Sequence, residues 1–176
     1  MNRPNLILTS LYRSPCGDML LGELGGALCL CDWVANPKRR AVDAAMLRLS
    51  GAEFCVAPSA VTQMAAQQLD EYFAGHRRSF DLPLRFIGTE FRRRVWKSLC
   101  DIPYGGTISY GALAERLGDR RAVRAVAAAV GANPMSVVVP CHRVVGGDGR
   151  LVGYAGGLEA KRFLLQMENA TAAVVQ

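Results

Sequence analysis

A thiol and an imidazole stand side by side at Cys141-His142, behind the apolar run Val137-Val138-Val139 and Pro140 and ahead of Arg143-Val144-Val145. A thiolate is a strong nucleophile, and at neutral pH it forms only beside a base or a positive charge. The pair therefore invites covalent transfer to sulfur. On an extended strand adjacent side chains point to opposite faces, so the two cooperate only if Pro140 marks a turn or a water bridges them. From these residues alone, a buried and inert cysteine fits as well as a reactive one.

The other cysteines, at 16, 29, 31, 55 and 100, form no CxxC pair and are expected as small buried hydrophobes in a reducing compartment. Only His76 and His142 could add imidazole ligands, and Cys29-x-Cys31 is tighter than finger spacing. No metal site is expected. Lys and Arg number 21 against 15 Asp and Glu, a formal charge of +6, which favours a polyanionic partner. The excess clusters in the second half: Arg92 to Arg94, Lys97, Arg116, Arg120, Arg121, Arg124, Arg143 and Arg150. Arg92 to Arg94 also read as a solvated helix face.

The elements that must position these groups follow from periodicity. Leu6 to Leu8, Met19 to Leu21 and Ala27 to Leu30, separated by Ser14-Pro15-Cys16-Gly17 and Gly25-Gly26, predict a small antiparallel meander. Helices are predicted over Arg39 to Leu49 and Ser59 to Phe73, the second with Val61, Ala65, Leu69, Tyr72 and Phe73 on one face and Gly75 ending it. His76 to Gly88, around Pro83, reads as a linker, with a boundary near residue 85. Thr89 then caps a helix carrying Phe91, Val95, Trp96 and Leu99.

A helix-turn-helix pattern follows: Ser109 caps a short helix through Leu113 and Leu117, Gly118-Asp119 turns, and a second helix runs from about Arg120 to Val130. Arg120, Arg121 and Arg124 lie near its start. Ala122, Ala125, Ala127, Ala128 and Ala129 keep its surface low enough for a backbone to approach closely. An alanine-rich helix packed on its neighbours accounts for the same residues. The class expected is α+β, with residues 1–85 as an N-terminal domain and linker and 86–176 as a mostly helical domain. With 51% hydrophobic side chains in 176 residues the chain can bury a core. No uninterrupted apolar run of about 18 residues occurs, and Met1 to Leu11 lacks a signal-peptide layout, so no membrane association and a cytoplasmic location are expected.

Pro140-Cys141-His142-Arg143-Val144 resembles the active-site signature of the O6-alkylguanine-DNA alkyltransferases, the methylated-DNA–protein-cysteine methyltransferases. In register with that family stand Gly88-Thr89, Phe91, Val95-Trp96, Ile102-Pro103-Tyr104-Gly105, Ser109-Tyr110, Arg124-Ala125-Val126, Asn133-Pro134, Gly153-Tyr154, Gly156-Gly157, Lys161, Leu164-Leu165 and Glu168. The resemblance spans residues 86–169 and continues more weakly in Ser14-Pro15, Gly17 and Tyr72-Phe73-Ala74-Gly75. It is to the small free-standing bacterial type, and the zinc ligands of some relatives have no matching set here.

The resemblance implies a ribonuclease H-like N-terminal domain and a winged-helix-like C-terminal domain. It implies single-turnover repair of double-stranded DNA, in which Cys141 takes a methyl or other alkyl group from O6 of guanine, extending to O4 of thymine, after the nucleotide is flipped out. His142 would act through a water as base, Glu168 would orient it, Asn133 would hold the turn before the cysteine, and Tyr110 would assist rotation and protonate the departing guanine. Arg124 would fill the gap in the base stack, with Tyr110, Ala122 and Ala125 at the DNA surface. Val144, Tyr154, Ala155 and Gly156 would line the alkylguanine pocket. No cofactor is required, and a monomer is expected in solution, with assembly on DNA left open.

Departures from the family pattern are Ala127 where glycine is commonest, Arg92 for a frequent glutamine, and Gly106 for an acidic or amide residue. Two other readings use the same motifs. A lesion-binding module of the alkyltransferase-like kind would lack the acceptor thiol, which is present. A winged-helix regulator sensing alkylation through Cys141 would need a regulatory domain. A basic DNA face predicts that the logarithm of duplex affinity falls linearly with the logarithm of salt concentration. Fluorescence anisotropy titrations checks this, and a flat line removes the polyanionic partner.

Overall fold

The computed structural model describes residues 5–173, with side chains described through residue 169. The first four residues of the Met1 to Leu11 stretch, and the ends of the two expected domains, therefore lie outside the described residues. Strands β1 (Asn5–Ser14), β2 (Gly17–Leu24) and β3 (Ala27–Trp33) form the expected meander. Gly25 and Gly26, at φ 60° and 83°, supply the left-handed conformations of the second hairpin turn. A fourth strand was not foreseen. After helix α1 (Arg39–Ser50), Gly51 turns at φ 64° directly into β4 (Ala52–Val56), which pairs parallel with β1. The sheet is thus mixed, in the order β3-β2-β1-β4. Five residues on a sheet edge, with Glu53 and Val56 exposed to solvent, leave no period long enough to detect.

Both faces of the sheet are covered, which is why β2 and β3 read as continuous apolar runs rather than alternating ones. One face packs Ile7, Cys29 and Leu30 against Val42 and Met46 of α1. The other packs Met19, Leu21 and Leu28 against Ala65, Leu69 and Tyr72 of α2 (Ala60–Phe73) and runs on into the C-terminal core. Helix α2 starts at a capping box in which Ser59 and Thr62 satisfy each other's backbone N–H groups.

The connection around Pro83 is ordered along the edge of β3: Leu28 N–H donates to Pro83 O and Arg85 N–H to Leu28 O, both at 2.8 Å. Thr89 caps α3 (Glu90–Cys100), whose Trp96 is buried and donates from Nε1 to Ala129 O at 2.8 Å. That bond ties α3 to α5 (Val123–Val130), the second helix of the helix-turn-helix; the first is α4 (Tyr110–Arg116), capped by Ser109. The expected single helix from Arg120 instead opens with one 3-10 turn, Arg120–Ala122, because Asp119 accepts from Arg121 N–H and tightens the start. A short parallel pair, β5 (Ile108–Ser109) with β6 (Val144–Val145), joins the start of α4 to the segment after Cys141. Helix α6 (Gly157–Ala173) closes the fold. Among the described residues no helix is long and apolar enough to cross a membrane.

The two halves also meet backbone to backbone, where Cys31 N–H donates to Pro134 O at 2.9 Å. Gly88 makes the turn into α3 possible beside a large ring: a Cβ there would lie 2.5 Å from Trp96 Cζ3. Gly88→Ala is expected to cost about 1–3 kcal/mol, the usual penalty of forced overpacking, measured as a lowered urea midpoint at unchanged slope.

Candidate active site

Cys141 sits in a turn. Pro140, at φ −80° and ψ 63°, centres an inverse γ-turn that brings Cys141 N–H to Val139 O at 2.8 Å, and Cys141–Arg143 continue as one 3-10 turn. Val137-Val138-Val139 is therefore not a strand, and the opposite-face geometry of a strand does not apply to Cys141 and His142. Val137 holds φ 70°, a conformation that a β-branched residue adopts only where its surroundings enforce it. The enforcement comes from Asn133, whose side chain accepts from Met135 N–H and donates to Val139 O, both at 3.0 Å. One amide thus clamps both ends of the loop between α5 and the cysteine.

His142 is fully buried, with Nε2 at 2.8 Å from Glu168 Oε1. Against an ionised carboxylate this nitrogen carries the proton, which leaves Nδ1 as the acceptor; Nδ1 is buried and has no hydrogen-bond partner among the described residues. Burial lowers the His142 pKa, with the Glu168 carboxylate opposing, so the ring rests neutral and able to take a proton. Burial likewise pushes the Cys141 thiol up, while Asn133 and Lys161 act to lower it. Cys141 is therefore held as a thiol.

Glu168 receives five hydrogen bonds. Its Oε1 accepts from His142 Nε2, Arg143 Nη2 at 2.8 Å and Tyr72 Oη at 2.7 Å, and its Oε2 from Arg143 Nε and Gly105 N–H, both at 3.0 Å. Burial alone would raise its pKa, but the His142 and Arg143 contacts outweigh that and hold it well below the usual carboxylate range. Arg143 also donates to Ile102 O at 2.6 Å and lies over the Tyr104 ring. It belongs to this interior network and not to the basic surface, correcting its place among the clustered charges.

Cys141 lies on the wall of a cavity of about 470 Å³ together with Tyr110, Arg124, Asn133, Tyr154 and Ala155. Arg124 and Ala125 are exposed on α5, and Ala122 is half-buried in the 3-10 turn before it. Tyr110 donates from its hydroxyl to Val152 O at 3.3 Å. Two expected lining residues stand off the wall. Val144 is buried in the core, its carbonyl taken by Lys161 Nζ at 2.6 Å. Gly156 packs under Trp33, where a Cβ would come within 2.6 Å of the ring.

Sequence reasoning missed the contribution of the N-terminal half. Asn36, Pro37 and Lys38 line the cavity, and the Asn-Pro step was the available turn signal. It also missed the tether made by Lys161, which donates to Val152 O and Gly153 O besides Val144 O and so pins the segment carrying Tyr154. Burial lowers that ammonium to about 8. Among the described residues, no group of three or more His, Cys, Asp or Glu is placed to hold a metal ion.

A sheet unit with a helical helix-turn-helix unit, and a buried Cys-His-Glu set at their junction, define a class that comparison with known proteins names. Residues 7–86 match the ribonuclease-like domain, and residues 90–170 the DNA binding domain, of the 6-O-methylguanine DNA methyltransferases. The chain belongs to that family. It is 41% identical over 158 residues to the methylated-DNA–protein-cysteine methyltransferase of Methanosarcina barkeri, covering 90% of this chain and 94% of the relative. It is 51% identical over 108 residues to the Mycobacterium tuberculosis protein of the same name, covering 61% and 66%. The crystal structure of Mycobacterium tuberculosis OGT in complex with DNA superposes with a TM-score of 0.81 at 38% identity, over 94% of each chain.

The Glu168 network carries a stability signature. A carboxyl whose folded pKa is depressed contributes stability that is complete above its unfolded value, about 4.3 for glutamate, and is lost as pH falls toward the folded one. The stability gap between native protein and Glu168→Gln is therefore widest at neutral pH and narrows toward about pH 3, measured by urea unfolding across that range.

Proposed function

We propose that this chain repairs duplex DNA by moving an alkyl group from O6 of guanine onto Cys141 Sγ, each molecule acting once. The activity is the one carried in the names of its relatives. The observation that supports the assignment to Cys141 is its position on the cavity wall with the neutral, Glu168-held His142 next to it in the chain.

A water relays the Cys141 proton to His142 Nδ1, the free acceptor of the ring, and Glu168 stabilises the imidazolium that results. The thiolate then attacks the alkyl carbon in line: the S–C bond forms as the C–O6 bond breaks. The electron pair stays on the guanine, which takes a proton from Tyr110 and returns to the duplex intact; the Tyr110 phenolate and the His142 imidazolium left behind are neutralised by proton exchange with solvent. A depressed basicity at His142 suits this sequence, since the ring must be neutral before it acts. Thioethers are not reversed by disulfide exchange, and the chain has no resolving motif, so the acceptor is consumed.

The target atom lies on a base edge inside the helix, so the nucleotide must rotate into the cavity. Exposed Arg124, on a helix whose outer positions are small, takes the place left in the stack, with Ala122 and Ala125 letting the helix enter the minor groove. Asn133 keeps the cysteine turn in register with α5. Tyr154 and Ala155 face the alkylguanine, and the division of labour falls near residue 85, with the alkyl acceptor and DNA surface beyond it. A protein acting on DNA with a free thiol belongs in the reducing cytoplasm.

Intact-protein mass spectrometry after incubation with a duplex containing O6-methylguanine tests the reading. Native protein gains the mass of one methyl group and Cys141→Ala gains none; a native protein that stays unmodified refutes it. Arg124→Ala is expected to slow transfer from duplex by about tenfold or more, equivalent to ~1.4 kcal/mol of lost support for the flipped state, and to leave transfer from free O6-benzylguanine nearly unchanged. Equal losses on both substrates remove its role in the stack. Glu168→Gln slows both by about 10²–10⁴-fold, the usual worth of a positioned base.

A further inference from the structure

We propose that Tyr72, supplied by the N-terminal half, is a positioning residue for the transfer: its hydroxyl donates to Glu168 Oε1, the oxygen that also receives His142 Nε2–H, and so fixes the carboxylate that aims the base. The inference rests on the functional reading above and extends it to a residue outside the DNA-binding half.

Three observations carry it. Tyr72 is fully buried on α2 and reaches its partner across 96 positions of sequence, so the bond exists only because the two halves are packed together. Its ring is held edge-on by Phe73 and Tyr104, with centroids 5.4 Å and 6.1 Å away, and tilted against Phe80 at 5.4 Å, which leaves the hydroxyl little freedom to turn elsewhere. Phenylalanine would fill the same aromatic nest and remove the hydroxyl that donates to Glu168. Burial and the adjacent carboxylate push the Tyr72 pKa up, so the group remains a donor across the working range of pH.

The consequence for His142 is geometric and electrostatic. Oε1 has three donors converging on it, from α2, from His142 and from Arg143, and removing the first lets the carboxylate rotate and concentrates its charge on the histidine. The other groups acting on this site are Arg143 beside His142, Lys161 of α6, Tyr104 with Arg78 over its ring, Tyr154 across from His142, and Cys141 itself with Asp32 of β3 behind it. None of them is altered by Tyr72→Phe.

Single-turnover transfer from an O6-methylguanine duplex, followed by rapid quench and intact mass across pH, tests the proposal. Tyr72→Phe is expected to lower the plateau rate about tenfold and to move the acid limb to higher pH, because His142 then keeps its proton longer. In the Glu168→Gln background the same substitution is expected to change little, since Tyr72 acts through Glu168. Phe73→Leu, which disturbs the same nest without touching Glu168, leaves the acid limb in place. A Tyr72→Phe protein with the native rate and profile overturns the proposal, and so does an undiminished effect in the Glu168→Gln background, which marks a purely structural role. If Tyr72→Phe does not fold, 3-fluorotyrosine at position 72 keeps the shape and strengthens the donor; the acid limb then moves to lower pH, and an unmoved limb is fatal. Methylation of native Cys141 in the same experiment separates failure of this inference from failure of the transfer reading.

Discussion

Glu168 has no access to solvent, and its charge must be matched by donors that come from three separate places in the chain: α2, the Tyr104-Gly105 turn, and the two residues after Cys141. An ion taken out of water is tolerated only when such partners are in place, and losing one leaves an uncompensated charge. The carboxylate therefore acts as a gauge of correct assembly. When it is satisfied, His142 has its tautomer and direction, Arg143 is locked to Ile102 O, and the N-terminal half is docked on the C-terminal one.

The same constraint explains how the proposed nucleophile can be kept inside the protein without being spent. Burial raises the Cys141 thiol and lowers the His142 imidazole, so both rest uncharged and the thiolate arises only when a proton can pass between them. For the acceptor sulfur proposed above, this resting state avoids the oxidation to which a standing thiolate is open. Asn133, the strained Val137 and the γ-turn at Pro140 hold that sulfur against the cavity while α5 remains at the surface. Reactivity and recognition are linked by a few residues of irregular backbone.

The N-terminal sheet unit takes a larger part in the site than a supporting scaffold would. It places Tyr72 on the buried carboxylate, Asn36 to Lys38 on the cavity wall, and Trp33 under Gly156. Each contact lies where the two halves meet, so relative movement of the halves would disturb the site at three points at once.

Much of this was legible along the chain. The Pro140-Cys141-His142-Arg143 signature, the turn residues of the meander, the caps at Ser59, Thr89 and Ser109, and the basic start of the second helix all act through neighbours within a few residues, so local chemistry and family pattern sufficed to locate them. The short parallel β4 left no period to read, and Arg143 is indistinguishable from a surface arginine until its partner is known. Val144 and Gly156 come to the pocket by resemblance to the family alone; packing puts the first in the core and the second under Trp33. Sequence by itself determined which groups could do the chemistry and the elements that carry them. Tertiary structure alone decided that Tyr72, Gly105 and Arg143 join His142 on one carboxylate, because a buried charge gathers its donors through space without regard to their order in the chain.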